Sequence, residues 1–172
     1  VAGEAIDFAT PTRIDAGAWQ EAFYTMMGAD RYASVGERLW SDPAAREQLS
    51  EYGHSHFQRA ATFTGADYSR GLELRARARI QTLAAFGDAE LLVSPTTAIV
   101  APRTTDEIVR PPLIGFTNFC NYVGLPAATV PCGTIDGLPV GLQFIGRPGT
   151  DALVLRACRA WERLHPIVRP AL

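Results

Sequence analysis

The side chains that could act as a nucleophile and its base are few and far apart in this chain. Cys132 lies in a Val-Pro-Cys-Gly segment, and His54 or His165 would have to serve as its base. A reactive cysteine needs a base, a cation or a helix N-terminus that lowers the pKa of its thiol. The sequence around Cys132 specifies none of these. The sequence therefore predicts that Cys132 is a core residue and not a catalytic one.

Serine and histidine patterns indicate no catalytic or metal site either. The six serines are scattered, and none follows a glycine-rich loop: Ser34, Ser41, Ser50, Ser55, Ser69 and Ser94. His54 and His56 are two positions apart, which places them on different sides of a helix. No other histidine, cysteine or carboxylate has ligand spacing to them. We therefore expect neither a catalytic residue nor a metal site.

The basic residues are unusual, because all 16 are arginine and the chain contains no lysine. A guanidinium stays protonated at ordinary pH, so none of these side chains can act as a general base. The net charge is −2 without a basic patch, which argues against nucleic-acid binding. No apolar stretch reaches the roughly 18 residues of a membrane-spanning helix. Three cysteines, an odd number, favour reduced thiols and a cytoplasmic protein.

The most regular pattern lies between residues 116 and 146. Phe116 to Val123 has apolar residues at i, i+3, i+4 and i+7, which predicts a helix that ends at Gly124. Ala127 to Val130 and Val140 to Ile145 are apolar runs that predict two strands, the first buried on both faces. Asp136-Gly137 between them favours a tight turn. The pattern predicts a helix followed by a β-hairpin.

This region resembles the C-terminal part of the amidase signature family of amide hydrolases. Thr117, Asn121, Gly124 and Pro126 match the family's Thr-x-x-x-Asn-x-x-Gly-x-Pro segment. Two further runs are similar to family motifs: Leu91-Leu-Val-Ser-Pro-Thr96 and Leu138-Pro-Val-Gly-Leu-Gln143. The resemblance implies an α/β fold in which helices flank a mixed β-sheet, as in the C-terminal part of the amidase signature fold.

The resemblance also implies a reaction that this chain cannot perform alone. Family members use a Ser–Ser–Lys triad in which a neutral lysine takes the proton of a bridging serine, and lysine is missing here. We expect residues 1–172 to be a single incomplete domain, the C-terminal segment of an amidase that converts a carboxylic acid amide to an acid and ammonia or an amine. Its partner would be an N-terminal catalytic segment, and no cofactor is implied. The alternative is a non-catalytic interaction module that retains part of the fold.

The same resemblance indicates which residues could form one wall of the substrate pocket. The candidates are Thr96, Ile114, Phe116, Phe119 and Cys120. Family members that act on glutamine tend to carry an acid three positions before the signature threonine, and Ile114 holds that position here. An apolar substrate group is therefore expected. A sheet that continues into a missing segment would have unpaired edges, so we also expect a homo-oligomer.

The N-terminal part of the chain predicts a strand at Ala5 to Phe8 and a helix from Ala16 to Met27, with Asp15 as its N-cap and Gly28 as its end. The apolar face of this helix has two interpretations. It packs on the core, or it forms a lid over the substrate. The residues concerned are Trp19, Phe23, Tyr24, Met26 and Met27.

Three more helices are predicted. Asp42 would cap one helix from Ala44 to Phe63, and Asp67 would cap another from Tyr68 to Phe86. Arg75, Arg77 and Arg79 alternate along the second of these, which predicts a solvated surface and not an anion site. The last helix runs from Asp151 to Leu164, and its predicted buried side consists of Leu153, Leu155, Ala157, Cys158 and Trp161.

Overall fold

The computed structural model describes residues 17–105 and 110–166. The described chain divides into two compact units, residues 17–78 and residues 79–166. The first unit is helical and the second contains a β-sheet flanked by helices, so the predicted α/β class is confirmed. The predicted strand at Ala5 to Phe8 and the predicted cap Asp15 lie outside the described residues. None of the helices in the described ranges is long and apolar enough to cross a membrane.

The helical unit begins with α1 (Gly17–Arg31), which continues through a π-helical turn (Tyr32–Gly36) into α2 (Glu37–Ser41). The predicted end of the first helix at Gly28 is therefore wrong. Gly28 is buried, and a β-carbon at this position would lie 2.9 Å from Cε2 of Phe63. A glycine is needed here because the helix passes close to the Phe63 ring, and the helix does not end.

Two short helices, α3 (Pro43–Glu47) and α4 (Glu51–Ala60), follow. The prediction of one helix from Ala44 to Phe63 is therefore wrong. The hydroxyl of Ser50 accepts a hydrogen bond from the backbone N–H of Gly53 at 3.1 Å. Such a side-chain cap starts a new helix and competes with continuation of the preceding one, which explains the break.

Side chains cap two more helices of this unit. Oδ1 of Asp42 accepts a hydrogen bond from the N–H of Ala44 at 3.0 Å, as predicted. α5 (Gly65–Ala85) is capped differently from the prediction. The hydroxyl of Thr64 accepts from the N–H of Asp67 at 3.2 Å, and Oδ2 of Asp67 accepts from the N–H of Thr64 at 2.8 Å. Thr64 is therefore the N-cap residue, and Asp67 completes a reciprocal capping box.

The apolar face of α1 packs inside the helical unit. Trp19, Ala22 and Met26 are buried. A β-carbon on Gly71 of α5 would lie 2.6 Å from Cγ of Met26, so the two helices approach closely where Gly71 has no side chain. This packing supports the core interpretation of the α1 face for its buried residues.

The second unit contains an antiparallel sheet of β1 (Leu91–Pro95), β2 (Ala127–Ile135) and β3 (Leu138–Gly146) in the order β1-β3-β2. Asp136-Gly137 joins β2 to β3 with φ angles of 52° and 78°, which confirms the predicted hairpin turn. The prediction that β2 is buried on both faces is wrong, because Val130 is its one buried residue. Among the described strands, β1 and β2 each have one unpaired edge.

α7 (Asp151–Leu164) covers one face of this sheet. The buried core between them consists of Val130, Phe144, Val154 and Cys158. The indole N–H of Trp161 also donates a hydrogen bond to the carbonyl of Pro131 at 3.0 Å. The predicted burial of Leu155 is wrong, since this side chain is 57% exposed. The helix is rotated so that Val154 and Ala160 face inward instead.

Candidate functional site

The signature segment forms α6 (Arg110–Val123) and the turn that follows it. Gly124 has a φ of 69° and ends the helix, as predicted. The N–H groups of Gly124 and Leu125 both donate to the carbonyl of Cys120, at 2.9 and 3.0 Å. The chain therefore passes from α6 into β2 in three residues.

Arg79, near the end of α5, contacts the C-terminus of α6. Its Nη1 donates hydrogen bonds to the carbonyls of Val123 at 2.6 Å and Gly124 at 3.2 Å. Carbonyls at a helix C-terminus have no intrahelical partner and carry partial negative charge, so a guanidinium stabilises them. The prediction of a solvated Arg79 is therefore wrong, whereas Arg77 pairs with Glu73 on an exposed surface as predicted.

The threonine that follows β1 lies in a close contact across the sheet. The N–H of Thr96 donates to the carbonyl of Gly141 at 2.9 Å, and the hydroxyls of Thr96 and Thr129 are 3.1 Å apart. A β-carbon on Gly141 would lie 2.6 Å from Oγ1 of Thr96 and 2.8 Å from Cγ2 of Thr129. The two hydroxyls can therefore meet because residue 141 has no side chain.

A polar row crosses the sheet next to this contact. Ser94, Gln143 and Thr129 lie opposite one another in the register of the three strands and so share one face. Side chains alternate along a strand, so this face is the one opposite the core under α7. Gln143 is only 3% exposed, and its Nε2 donates to the hydroxyl of Ser94 at 3.2 Å. Sequence reasoning missed Gln143 and Thr129 as partners, because their contacts depend on strand register.

Four of the predicted substrate-binding residues lie on α6. Phe119 and Cys120 are buried, Ile114 is half-buried and Phe116 is 38% exposed. The thiol of Cys120 donates to the carbonyl of Phe116 at 3.7 Å, and burial raises its pKa to about 11. Cys120 is therefore a neutral, apolar side chain. The fifth predicted residue, Thr96, lies at the end of β1 and contacts Thr129 and Gly141.

Cys132 lies at a bulge of β2 between Pro131 and Gly133. Its side chain is exposed, so the prediction that it packs in the core is wrong. The thiol donates to the carbonyl of Val140 at 3.6 Å. The ring of His165 packs instead on Trp161, with ring centroids 4.1 Å apart. These contacts pair neither side chain with a catalytic partner, in agreement with the predicted non-catalytic role of Cys132.

Helical serines make local hydrogen bonds. The hydroxyls of Ser34, Ser41 and Ser55 donate to backbone carbonyls three or four residues earlier, at 3.1, 2.6 and 3.1 Å. Such bonds occupy the hydroxyl proton within the helix. The residues that the structure describes also contain no group of three or more metal-ligating side chains.

A shallow depression of about 430 Å³ lies in the helical unit at the break between α3 and α4. Its lining is Arg46, Glu47, Leu49, Glu51, His54 and Ser55. Nearby, the ring of Trp40 contacts the guanidinium of Arg46 at 5.3 Å and the ring of His54 at 4.9 Å. The lining is open and of mixed charge, and it includes none of the predicted substrate-binding residues.

Comparison with known proteins identifies the family. A sequence model of the Amidase family matches residues 5–155, so the chain belongs to this family and the resemblance seen in its motifs is confirmed. A crystal structure of an amidase superposes on 89% of this chain and 37% of that chain with a TM-score of 0.82. The sequence identity of that pair is 22%, so it shows the shared fold.

Curated relatives are much longer than this chain. A glutamyl-tRNA(Gln) amidotransferase of Myxococcus xanthus (strain DK1622) is 37% identical over 118 residues, which are 66% of this chain and 24% of the relative. A fatty acid amide hydrolase of Medicago truncatula is 38% identical over 113 residues, 60% of this chain and 19% of the relative. The chain therefore spans about a quarter of the length of the curated relatives that it matches.

Proposed function

We propose that this chain is the C-terminal segment of an amidase that hydrolyses a carboxylic acid amide to the acid and ammonia or an amine. In this proposal it contributes core strands and one wall of the acyl pocket. A segment N-terminal to it supplies the two serines and the lysine. The observation that carries the proposal is that a member of the amidase family has no lysine in 172 residues.

The chemistry of the triad explains why that absence matters. A neutral lysine accepts a proton from the bridging serine, which activates the nucleophilic serine for attack on the amide carbonyl. Sixteen arginines cannot replace it, because each guanidinium remains protonated. The described serines Ser34, Ser41 and Ser55 already donate to backbone carbonyls. The chain alone should therefore bind and orient the acyl group without cleaving the C–N bond.

The surface of α6 supports an apolar acyl group as the substrate part that this chain contacts. Phe116 is exposed and Ile114 is half-buried on α6, and Ile114 holds the position of an acid in members that act on glutamine. An apolar wall binds an aliphatic or aromatic group better than an ammonium, which would lose its hydration there. We therefore propose aliphatic or aromatic amides as the substrate class.

The test is an ammonia-release assay on the purified chain with a set of aliphatic and aromatic amides. No turnover above the buffer rate is expected from the chain alone. The same assay on the polypeptide that includes an N-terminal Ser–Ser–Lys segment should show turnover, and Ile114→Asp in that protein should weaken the preference for apolar amides. Hydrolysis by the isolated chain would refute the proposed division of labour.

The alternative function is a non-catalytic interaction module. The absence of lysine is also compatible with this function, because a binding module needs no general base. The intact mass and peptide map of the source polypeptide distinguish the two. A lysine and a Gly/Ser-rich segment ahead of Val1 support the enzyme, and a source polypeptide without them supports the module.

We also propose that the chain associates with itself and that the protein is cytoplasmic. The free edges of β1 and β2 and the exposed Ile135 and Leu138 of the hairpin support self-association. Three free cysteines are typical of a reducing compartment. Sedimentation velocity should show species larger than a monomer, and a monomer that unfolds cooperatively would contradict the first proposal. Fractionation of source cells tests the second, and recovery outside the cytoplasm would contradict it.

A further inference from the structure

We propose that Arg79 is a positioning residue that holds the C-terminal end of α6, and with it the substrate wall on that helix. This inference rests on the proposed function for its catalytic consequence, whereas the contact itself does not. Arg79 belongs to none of the sequence motifs of the family resemblance, and its role follows from two hydrogen bonds of the described structure.

The geometry shows what Arg79 does at the end of α6. The N–H groups of Gly124 and Leu125 both turn back to the carbonyl of Cys120, which leaves later carbonyls of the helix without a backbone donor. Nη1 of Arg79 donates to two of these carbonyls, those of Val123 and Gly124. Its positive charge also lies at the negative end of the helix dipole. A single half-buried side chain thus satisfies the last carbonyls before β2.

The contact has a consequence for the substrate wall because a helix moves largely as one body. Ile114 and Phe116 lie on the same α6 whose end Arg79 contacts. Without the guanidinium, the carbonyls of Val123 and Gly124 would have to find water, and the α6–β2 turn would open more often. A shift of the turn would displace the two side chains that we propose contact the acyl group.

Residue-resolved hydrogen exchange of the 172-residue chain tests the contact directly. Arg79→Gln should lower the protection of the Gly124 and Leu125 amides by about tenfold, the loss expected for a charge-assisted hydrogen bond. Amides of β3 and α7 should keep their protection. Arg79→Lys should restore part of the loss, because the ammonium retains the charge and can donate to a carbonyl.

Arg77→Gln is the matched control, since it removes an arginine and its exposed ion pair from the same helix. It should leave protection of the Gly124 and Leu125 amides unchanged. An equal loss of protection throughout residues 79–166 in Arg79→Gln would mean that Arg79 only stabilises the fold, and unchanged protection would mean that the contact is unimportant. Either result would overturn the proposal.

A kinetic measurement on the amidase that includes the catalytic segment tests the positioning role. Arg79→Gln should raise KM for an apolar amide several-fold with a smaller change in kcat, and Arg79→Lys should recover part of it. Loss of folded enzyme alone would lower the apparent kcat and leave KM unchanged, which would overturn the role. If the wild-type protein cleaves no amide, the proposed function fails, and the hydrogen-exchange result still decides whether Arg79 holds the turn.

Discussion

Replacing Gly141 with alanine should destabilise the sheet unit although it adds one carbon. The new β-carbon would lie 2.6 Å from Oγ1 of Thr96 and 2.8 Å from Cγ2 of Thr129. Overpacking of this kind costs about 1–3 kcal/mol. Gly141 is not among the described glycines with a positive φ, so alanine also restricts the unfolded chain and returns about 0.4–1 kcal/mol. The free energy of unfolding should fall by about 1–2 kcal/mol in balance.

Urea unfolding followed by circular dichroism, at one protein concentration, measures this change. Gly115→Ala in α6 is the matched control, because no atom lies within 4 Å of the added carbon. It should stabilise the chain by about 0.5–1 kcal/mol. Combining Gly141→Ala with Thr96→Ala should cost less than the sum of the single changes, since the closest atom is removed. A Gly141→Ala variant as stable as the wild type, or strictly additive effects, would refute the hydroxyl contact as described.

Two further predictions concern titratable side chains. Iodoacetamide at about pH 8 should modify the exposed Cys132 in the native chain and spare Cys120 and Cys158, whose thiol pKa values burial raises; peptide mapping reads the result, and equal modification of all three would be the contrary outcome. Nε2 of His56 is buried without a hydrogen-bond partner, and burial, followed by the charge of Arg31, lowers the pKa of its imidazole below 6.5. The unfolded state therefore binds this proton more readily, so the stability contributed by a neutral His56 is full above pH 6.5 and is lost as the pH falls from there through the folded pKa. The urea midpoint of His56→Gln should depend less on pH across that window, and an unchanged pH profile would count against this assignment.

Local rules predicted the parts of the fold that depend on neighbouring residues. The Asp136-Gly137 turn, the helix end at Gly124 and the Asp42 cap each follow from the backbone preferences of a few adjacent residues. Gly28 was misread because a glycine can end a helix or let another element approach. Only its distance to Phe63 distinguishes these two cases.

The candidate site shows the same limit in its contacts. The motifs placed Thr96 after a strand and four candidate residues on one helix, and the structure agrees on both positions. The partners of these elements come from far along the chain, since Thr129 reaches Thr96 through strand register and Arg79 reaches α6 from α5. No periodicity within either segment reports such a contact. Whether the five candidate residues bind substrate stays a prediction.

The central claim, that a chain without lysine cannot activate a serine, has a direct test. The purified chain is incubated with a fluorophosphonate probe, and its intact mass is measured beside a sample containing an active serine hydrolase. Our account predicts an unchanged mass for this chain, because no neutral amine is available to take the proton of any of its six serines. Stoichiometric addition of the probe to one serine of the chain would contradict it.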